Sequence, residues 1–279
     1  MLQVRVMSVK DYVFAVDLAN TMGWAMELAD FRFNQFLEPE GCFVLFNGSV
    51  PVGVATCISF GNVGWFGNLV VKPEYRGCGG GRLLLDYAVR YLWSRGVKSV
   101  GLYTYPCFRD FYGKVGFKVD MDLVVMQCSQ LQSCDFGSFG FESCFDFSLL
   151  ASFDRRFFGA DRSRLLRGIL QGEGNLCYVS MDGDNVVGYV LAKIYDGVVE
   201  VGPLVCSVDR SEVVFGLLKA VLGRLVGRSV LLYLHQNQFC LEEFLLGVGF
   251  RKSFFLSRMF LGESKVQAGV CLAESLERG

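Results

Sequence analysis

Histidine is almost missing from this chain: His235 is the single one among 279 residues. Eleven cysteines are present, at 42, 57, 78, 107, 128, 134, 144, 177, 206, 240 and 271, but they are scattered singly with no Cys-x-x-Cys pair. A metal centre needs clustered nitrogen and sulfur ligands, so none is expected. Most of these thiols are expected to be small buried hydrophobes, and their spacing reveals no disulfide pairing. The net charge of −1 comes with no basic block, which removes the electrostatic footprint that DNA or RNA binding requires. No run approaches the ~18 to 20 apolar residues of a membrane helix. The start Met1-Leu2-Gln3-Val4-Arg5 has no apolar export region, and the expected location is cytoplasmic.

What is abundant is apolar mass, with 52% hydrophobic residues and 26 phenylalanines. Without a membrane to enter, that mass implies dense cores or a covered interface between domains or subunits, and leaves a homodimer open. The length suits two modest domains, each with its own core.

A repeat supports two. Gly53 in Pro51-Val52-Gly53-Val54 recurs 135 residues later as Gly188 in Val186-Val187-Gly188-Tyr189. Gly67-Asn68-Leu69-Val70-Val71 recurs at the same offset of 135 as Gly202-Pro203-Leu204-Val205-Cys206, and Gly116-Phe117 recurs after 133 as Gly249-Phe250. Three landmarks in register mark one structural unit used twice. The expected domains are 1–132 and 135–279, the second opening near Asp135.

In the first copy, Ser8-Val9-Lys10-Asp11 reads as a capping box opening a helix to about Met22, and a second helix runs roughly from Met26 to Leu37. Cys42 to Phe46 and Val50 to Ile58 read as a hairpin around Asn47-Gly48-Ser49. A strand over about Val63 to Val71 follows, in which Gly64 and Gly67 suggest a bulge or a close backbone approach. Arg82 to Arg95 reads as a helix with Leu84, Tyr87, Ala88 and Tyr91 on its core face, closed by Gly96 as a left-handed cap. Val97 to Thr104 is then a parallel strand, completing a βαβ unit in a mixed α/β sheet.

Between the strand and the helix lies Arg76-Gly77-Cys78-Gly79-Gly80-Gly81. Glycines entering a helix let consecutive N–H groups converge on one point, while the helix N-terminus and Arg76 add positive charge. A phosphate or pyrophosphate is the expected guest. Gly81 is followed by Arg82 and Leu83, so this is not the Gly-Lys-Ser/Thr loop of nucleotide triphosphatases, and a small residue is missing at Arg82 for a dinucleotide fingerprint.

Arg76, Gly79 and Gly81 fit Arg-x-x-Gly-x-Gly. With Val71-Lys72-Pro73-Glu74-Tyr75 before it and Phe111-Tyr112-Gly113-Lys114-Val115-Gly116-Phe117 after the next strand, the pattern resembles the GCN5-related N-acetyltransferase (GNAT) family in a tandem, two-domain form. The resemblance is strong over 60–120 and weak over 135–260. It implies acetyl-CoA as the cofactor, its pyrophosphate on Arg76, Gly77, Cys78, Gly79, Gly80, Gly81 and Arg82, and its pantetheine amides along Leu69, Val70 and Val71. An N–H near Leu69 would stabilise an oxyanion. The resemblance gives Tyr112 the role of general acid for the departing thiolate. It also directs attention to Thr104, where relatives often place an asparagine against the cofactor.

Other family features are missing. Gly61 to Val71 carries no glutamate to act as base, and Glu27, Asp30 and Glu38 in the helices before it read as surface charges. Cys78 has no histidine partner in its half and reads as a plain loop residue. His235 ends a strand after Leu231–Leu234, where a structural role is expected. The second copy reads Ser211-Glu212-Val213-Val214-Phe215-Gly216 in place of the cradle and Leu245 in place of Tyr112, so it is expected to have lost its cofactor site. The implied activity is acetyl transfer to a primary amine of a small molecule or peptide; the alternative is an acyl-CoA-binding sensor or assembly module without turnover.

Overall fold

The computed structural model describes residues 1–134, 136, 141, 146–208, 210–263 and 269–279. Asp135 and Cys144 lie outside them. Close contacts divide the chain into two units, Met1–Leu102 with Arg278 and Tyr103–Glu277 with Gly279.

The first unit begins with strand β1 (Leu2–Val6), whose alternating burial marks a half-covered strand. A 3-10 turn (Val9–Asp11) leads into helix α1 (Tyr12–Asn20), and α2 (Leu28–Leu37) follows. Both helices are shorter than the spacing predicts. Thr21 and Met22 turn back on the carbonyls of Leu18 and Ala19, and Gly23 takes φ +75°. Glu27 caps α2 from outside, donating its N–H to the Asp30 carboxylate at 2.8 Å. Strands β2 (Cys42–Asn47), β3 (Val50–Ser59) and β4 (Val63–Val71) form an antiparallel series next to β1. After a 3-10 turn at Pro73–Tyr75 comes α3 (Gly80–Ser94), then β5 (Ser99–Thr104), parallel to β4.

α3 buries Leu84, Leu85, Ala88, Val89 and Leu92. Tyr87, expected on that face, is 39% exposed and lays its ring edgewise on Phe43, because the stripe is centred one residue further round the helix. Gly64 is explained by this helix: a Cβ there would stand 2.9 Å from Leu92. Gly53 answers the same need, since its Cβ would fall 3.1 Å from the Val70 carbonyl and 3.3 Å from Leu84.

Asp11 ties the start of this unit together, accepting from Arg5 at 2.8 Å and from the Ser8 N–H at 2.8 Å. The Arg5 hydrogen bond is the main reason that its pKa falls from 3.8 to about 2. A depressed carboxylate contributes stability that is present above its unfolded value and lost as pH falls towards the folded one. Asp11→Asn should therefore flatten the acid limb of thermal unfolding between pH 3.8 and about 2, followed by circular dichroism; a limb of unchanged slope would remove this role.

The second unit holds a 3-10 turn (Pro106–Phe108), α4 (Arg109–Gly113), β6 (Lys118–Cys128), α5 (Phe147–Phe158), α6 (Ser163–Leu170), β7 (Leu176–Asp182), β8 (Asn185–Ile194), β9 (Val199–Cys206), α7 (Ser211–Gly223), β10 (Val230–His235), α8 (Phe239–Gly247), β11 (Arg251–Leu261) and β12 (Val270–Leu272). Its strands run in the order β11-β6-β10-β12-β9-β8-β7. Gly188, the repeat partner of Gly53, meets α7 in the same way, with Leu217 and Val213 3.0 Å from where a Cβ would stand.

β6 follows Gly116-Phe117 and β11 follows Gly249-Phe250, so they are the same strand of the two copies. They pair antiparallel with Leu123 opposite Leu256. These two residues are themselves equivalent at the offset of 133, which makes the pair locally twofold-symmetric about that point. The other edge of β6 pairs with β10. Each copy's last long strand is thus held by the other copy's sequence.

Candidate functional site

In the glycine loop, Gly77 and Gly79 take φ +75° and +84°, and neither has a non-neighbouring atom within 4 Å of where a Cβ would stand. Gly79 is the N-cap of α3, and the first helical bond runs from the Leu83 N–H to the Gly79 carbonyl at 3.0 Å. Among the described residues, the N–H groups of Gly77 through Arg82 meet no protein acceptor. Gly80 is close-packed instead: a Cβ there would stand 2.7 Å from the end of the Leu45 side chain, which would have to shift.

Arg76, Gly77, Cys78 and Gly79 are exposed, so the converging N–H groups face solvent. Arg76 bonds the Val71 carbonyl through Nε at 2.8 Å, which ties the loop to the end of β4. Arg82 pairs with Asp86 one turn on, at 2.8 Å. The residues present fit a diphosphate: free donors, a helix N-terminus, and an open approach.

Upstream, the β4–β5 ladder ends at Phe66 opposite Leu102, although β4 runs on to Val71. On its other side Gly67 faces Thr56 and Val70 faces Val54, so two residues, Asn68 and Leu69, oppose the single Ala55. This is the bulge that the glycines suggested, placed at Asn68, which takes φ +53° and bonds Thr56 Oγ1 at 3.2 Å. Leu69, Val70 and Val71 thus lie beyond the last β5 pairing, on the side where an extended ligand can add main-chain bonds.

Tyr112 lies on α4 of the second unit. It is buried between Phe111 and Phe117, with ring centroids at 4.9 and 5.9 Å. Burial raises its pKa, and the nearby Thr104 side chain only partly opposes that. The phenol therefore stays protonated throughout the neutral range. Thr104 is itself buried, and its hydroxyl donates to the Tyr105 carbonyl at 3.4 Å.

Of the candidate bases, Glu27 and Asp30 cap α2. Glu38 differs from expectation: it is buried, because its carboxylate accepts from the Ser59 N–H at 3.0 Å and from the Tyr91 hydroxyl at 2.6 Å. Those bonds and the approach of Arg95 at 4.0 Å compensate its desolvation. The ten described cysteines are free thiols, and only Cys42, Cys57, Cys128, Cys206 and Cys271 are buried, fewer than expected.

In the second copy the corresponding opening is filled. The β9–β10 ladder ends at Val201 opposite Leu232, the counterpart of the opening beyond β4 and β5. There β12 enters, pairing antiparallel with β9 at Val270–Val205 and with β10 at Leu272–Leu234. The gap is closed by the chain itself, and Gly202 lies so close that a Cβ would stand 2.0 Å from the Ala273 carbonyl. At the head of α7, the Arg210 carbonyl accepts the N–H groups of Val213 and Val214, with no glycine turn before it.

Residues 14–117 match the acetyltransferase (GNAT) family, and residues 150–269 match the acetyltransferase (GNAT) domain. The chain belongs to the GNAT family and carries two such domains in tandem. Among solved structures it is similar to a Pyrococcus horikoshii protein described only as a candidate acetyltransferase (TM-score 0.83, 18% identity, covering 100% of this chain and 96% of that one). It is also similar to a GCN5-related N-acetyltransferase from Sphaerobacter thermophilus (TM-score 0.67, 15% identity, 98% of each chain). A tandem GNAT protein from the clavulanic acid biosynthesis pathway gives a TM-score of 0.65 at 13% identity, over 95% of this chain and 100% of that one. At these identities the likeness is one of fold. No curated protein matches the sequence. Among the described residues, no helix is long and apolar enough to cross a membrane, and no group of side chains is placed to hold a metal.

Proposed function

We propose that the chain is an N-acetyltransferase that uses acetyl-CoA to acetylate a primary amine of a small molecule or peptide, with the first copy binding the cofactor. The observation that carries this reading is the set of free N–H donors from Gly77 to Arg82 at the head of α3, open to solvent beside a strand whose end lacks its β5 partner. Acetyl-CoA, when bound, supplies an acetyl group activated as a thioester. Gly77 through Arg82 hold its diphosphate, and the β4 edge at Leu69 to Val71, beyond the last β5 pairing, pairs with its amide arm. The N–H near Leu69, turned by the bulge at Asn68, stabilises negative charge on the carbonyl oxygen under attack. Tyr112 delivers its phenolic proton to the departing thiolate. The amine's proton leaves through water, since Glu38 is already committed to Ser59 and Tyr91.

That commitment of Glu38 also favours a second reading, an acyl-CoA sensor or assembly module that binds without turnover. Two measurements separate them. In calorimetry with acetyl-CoA, Gly79→Val should weaken binding about 10- to 100-fold, because its side chain fills the open space over the donors and strains φ; equal affinity in both proteins would end the cradle assignment. A thiol-release assay with amino acids, polyamines and peptides then decides function. Amine-dependent release supports the transferase, whereas tight binding with no release by any amine supports the sensor.

A further inference from the structure

A cavity of about 160 Å³ lies in the second unit where β10 ends and α8 begins, lined by Asp122, Leu123, Leu234, His235, Phe239 and Phe255 among others. His235 is 2% exposed, yet its Nε2 has no hydrogen-bond partner among the described residues. Burial and the charge of Arg258 keep the ring neutral, with a pKa of about 3. A buried ring nitrogen without a partner is costly, and such groups usually have a water or ligand partner.

The charged groups on the cavity wall are already matched. Asp122 accepts from Arg109 at 2.6 Å and from Ser257 at 2.7 Å, and Glu242 pairs with Lys252 at 2.7 Å. An ionic guest would find no unmatched partner. At the rim, Phe239 and Phe255 are 72% and 53% exposed, an apolar pair held in water next to a polar floor. His235 is the last residue of β10, as Thr104 is the last of β5.

We propose that this cavity is a second small-molecule site, independent of the acetyl-CoA reading. It takes an uncharged ligand with a hydroxyl or amide head that hydrogen-bonds His235 Nε2 and a ring-sized apolar body against Phe239 and Phe255. A void of about 150 Å³ is known to accept benzene, so the volume suits one ring with a short polar arm.

Because His235 is the sole histidine, its two nitrogens are the only imidazole signals in a long-range proton–nitrogen NMR spectrum. Benzyl alcohol and benzamide serve as donor probes, and toluene as the matched probe without a donor. Saturable movement of the Nε2 resonance with the donor probes, and none with toluene, is expected. His235→Phe should lower benzyl alcohol affinity about tenfold, the loss of one buried hydrogen bond; Phe255→Ala, at an exposed position, should weaken all probes together. Absence of saturable movement in the native protein up to the solubility of benzyl alcohol would mean that the cavity holds water only, and toluene binding as tightly as the alcohol would remove the role of His235. The native titration decides even if His235→Phe fails to fold.

Discussion

Replacing Tyr112 by phenylalanine is expected to slow amine-dependent thiol release about 10²- to 10⁴-fold, the usual contribution of a positioned proton donor, with acetyl-CoA affinity unchanged. The substitution is mild for the fold. The ring remains between Phe111 and Phe117, and only the phenolic hydroxyl is removed, a loss of about 1 kcal/mol. Since burial raises its pKa, the phenol does not ionise below its ordinary value of 10, so any alkaline decline in rate below that pH belongs to another group. Stopped-flow detection of the thiol in native, Tyr112→Phe and Thr104→Val proteins reads both effects. Turnover retained in Tyr112→Phe would reduce the tyrosine to a packing residue.

The second large effect is on stability. Arg162 and Asp154 are entirely buried and joined by two bonds of 3.0 and 2.8 Å. Arg162 also donates to the Gly279 carbonyl at 2.7 Å and lies 3.9 Å over the ring of Phe158, while Tyr189 donates to Asp154. Burial opposes the charge on Arg162, but the Asp154 carboxylate outweighs it and holds the guanidinium above its ordinary pKa. Asp154→Ala leaves a cation buried without its counter-ion, which costs about 3–5 kcal/mol. For a unit of this size that is roughly 6 to 20 °C in Tm. Replacing both residues, as Asp154→Leu with Arg162→Met, should restore much of the loss, because the desolvation penalty disappears together with the attraction. A shift under about 2 °C for Asp154→Ala, measured by calorimetry, would show that the pair is hydrated in solution.

Much of the first copy's candidate site could be read directly. The loop from Arg76 to Arg82, the bulged end of β4 and the Tyr112–Gly116–Phe117 signature are each contained in a few consecutive residues, where backbone freedom and helix-start rules act. Glu38 was misjudged because nothing in its neighbours along the chain shows that Ser59 and Tyr91, 21 and 53 residues away, converge on it. Tyr87 shows the smaller error of a helical stripe whose centre is off by one residue. His235 stood out by rarity alone, and its unpaired nitrogen depends on where Val270 and the cavity lie.

The alternation of helices and strands, the duplication marked by Gly53 and Gly188, and the glycine-rich turn at the head of α3 were set by the amino-acid order itself, because each rests on short-range geometry or on a periodicity of a few residues. Which edges join was decided only in three dimensions. A strand's pattern states which face is buried but not whose backbone it will meet. β6 therefore came to lie between β10 and β11, and β12 closed the opening between β9 and β10, by long-range hydrogen bonding and packing that no local stretch encodes.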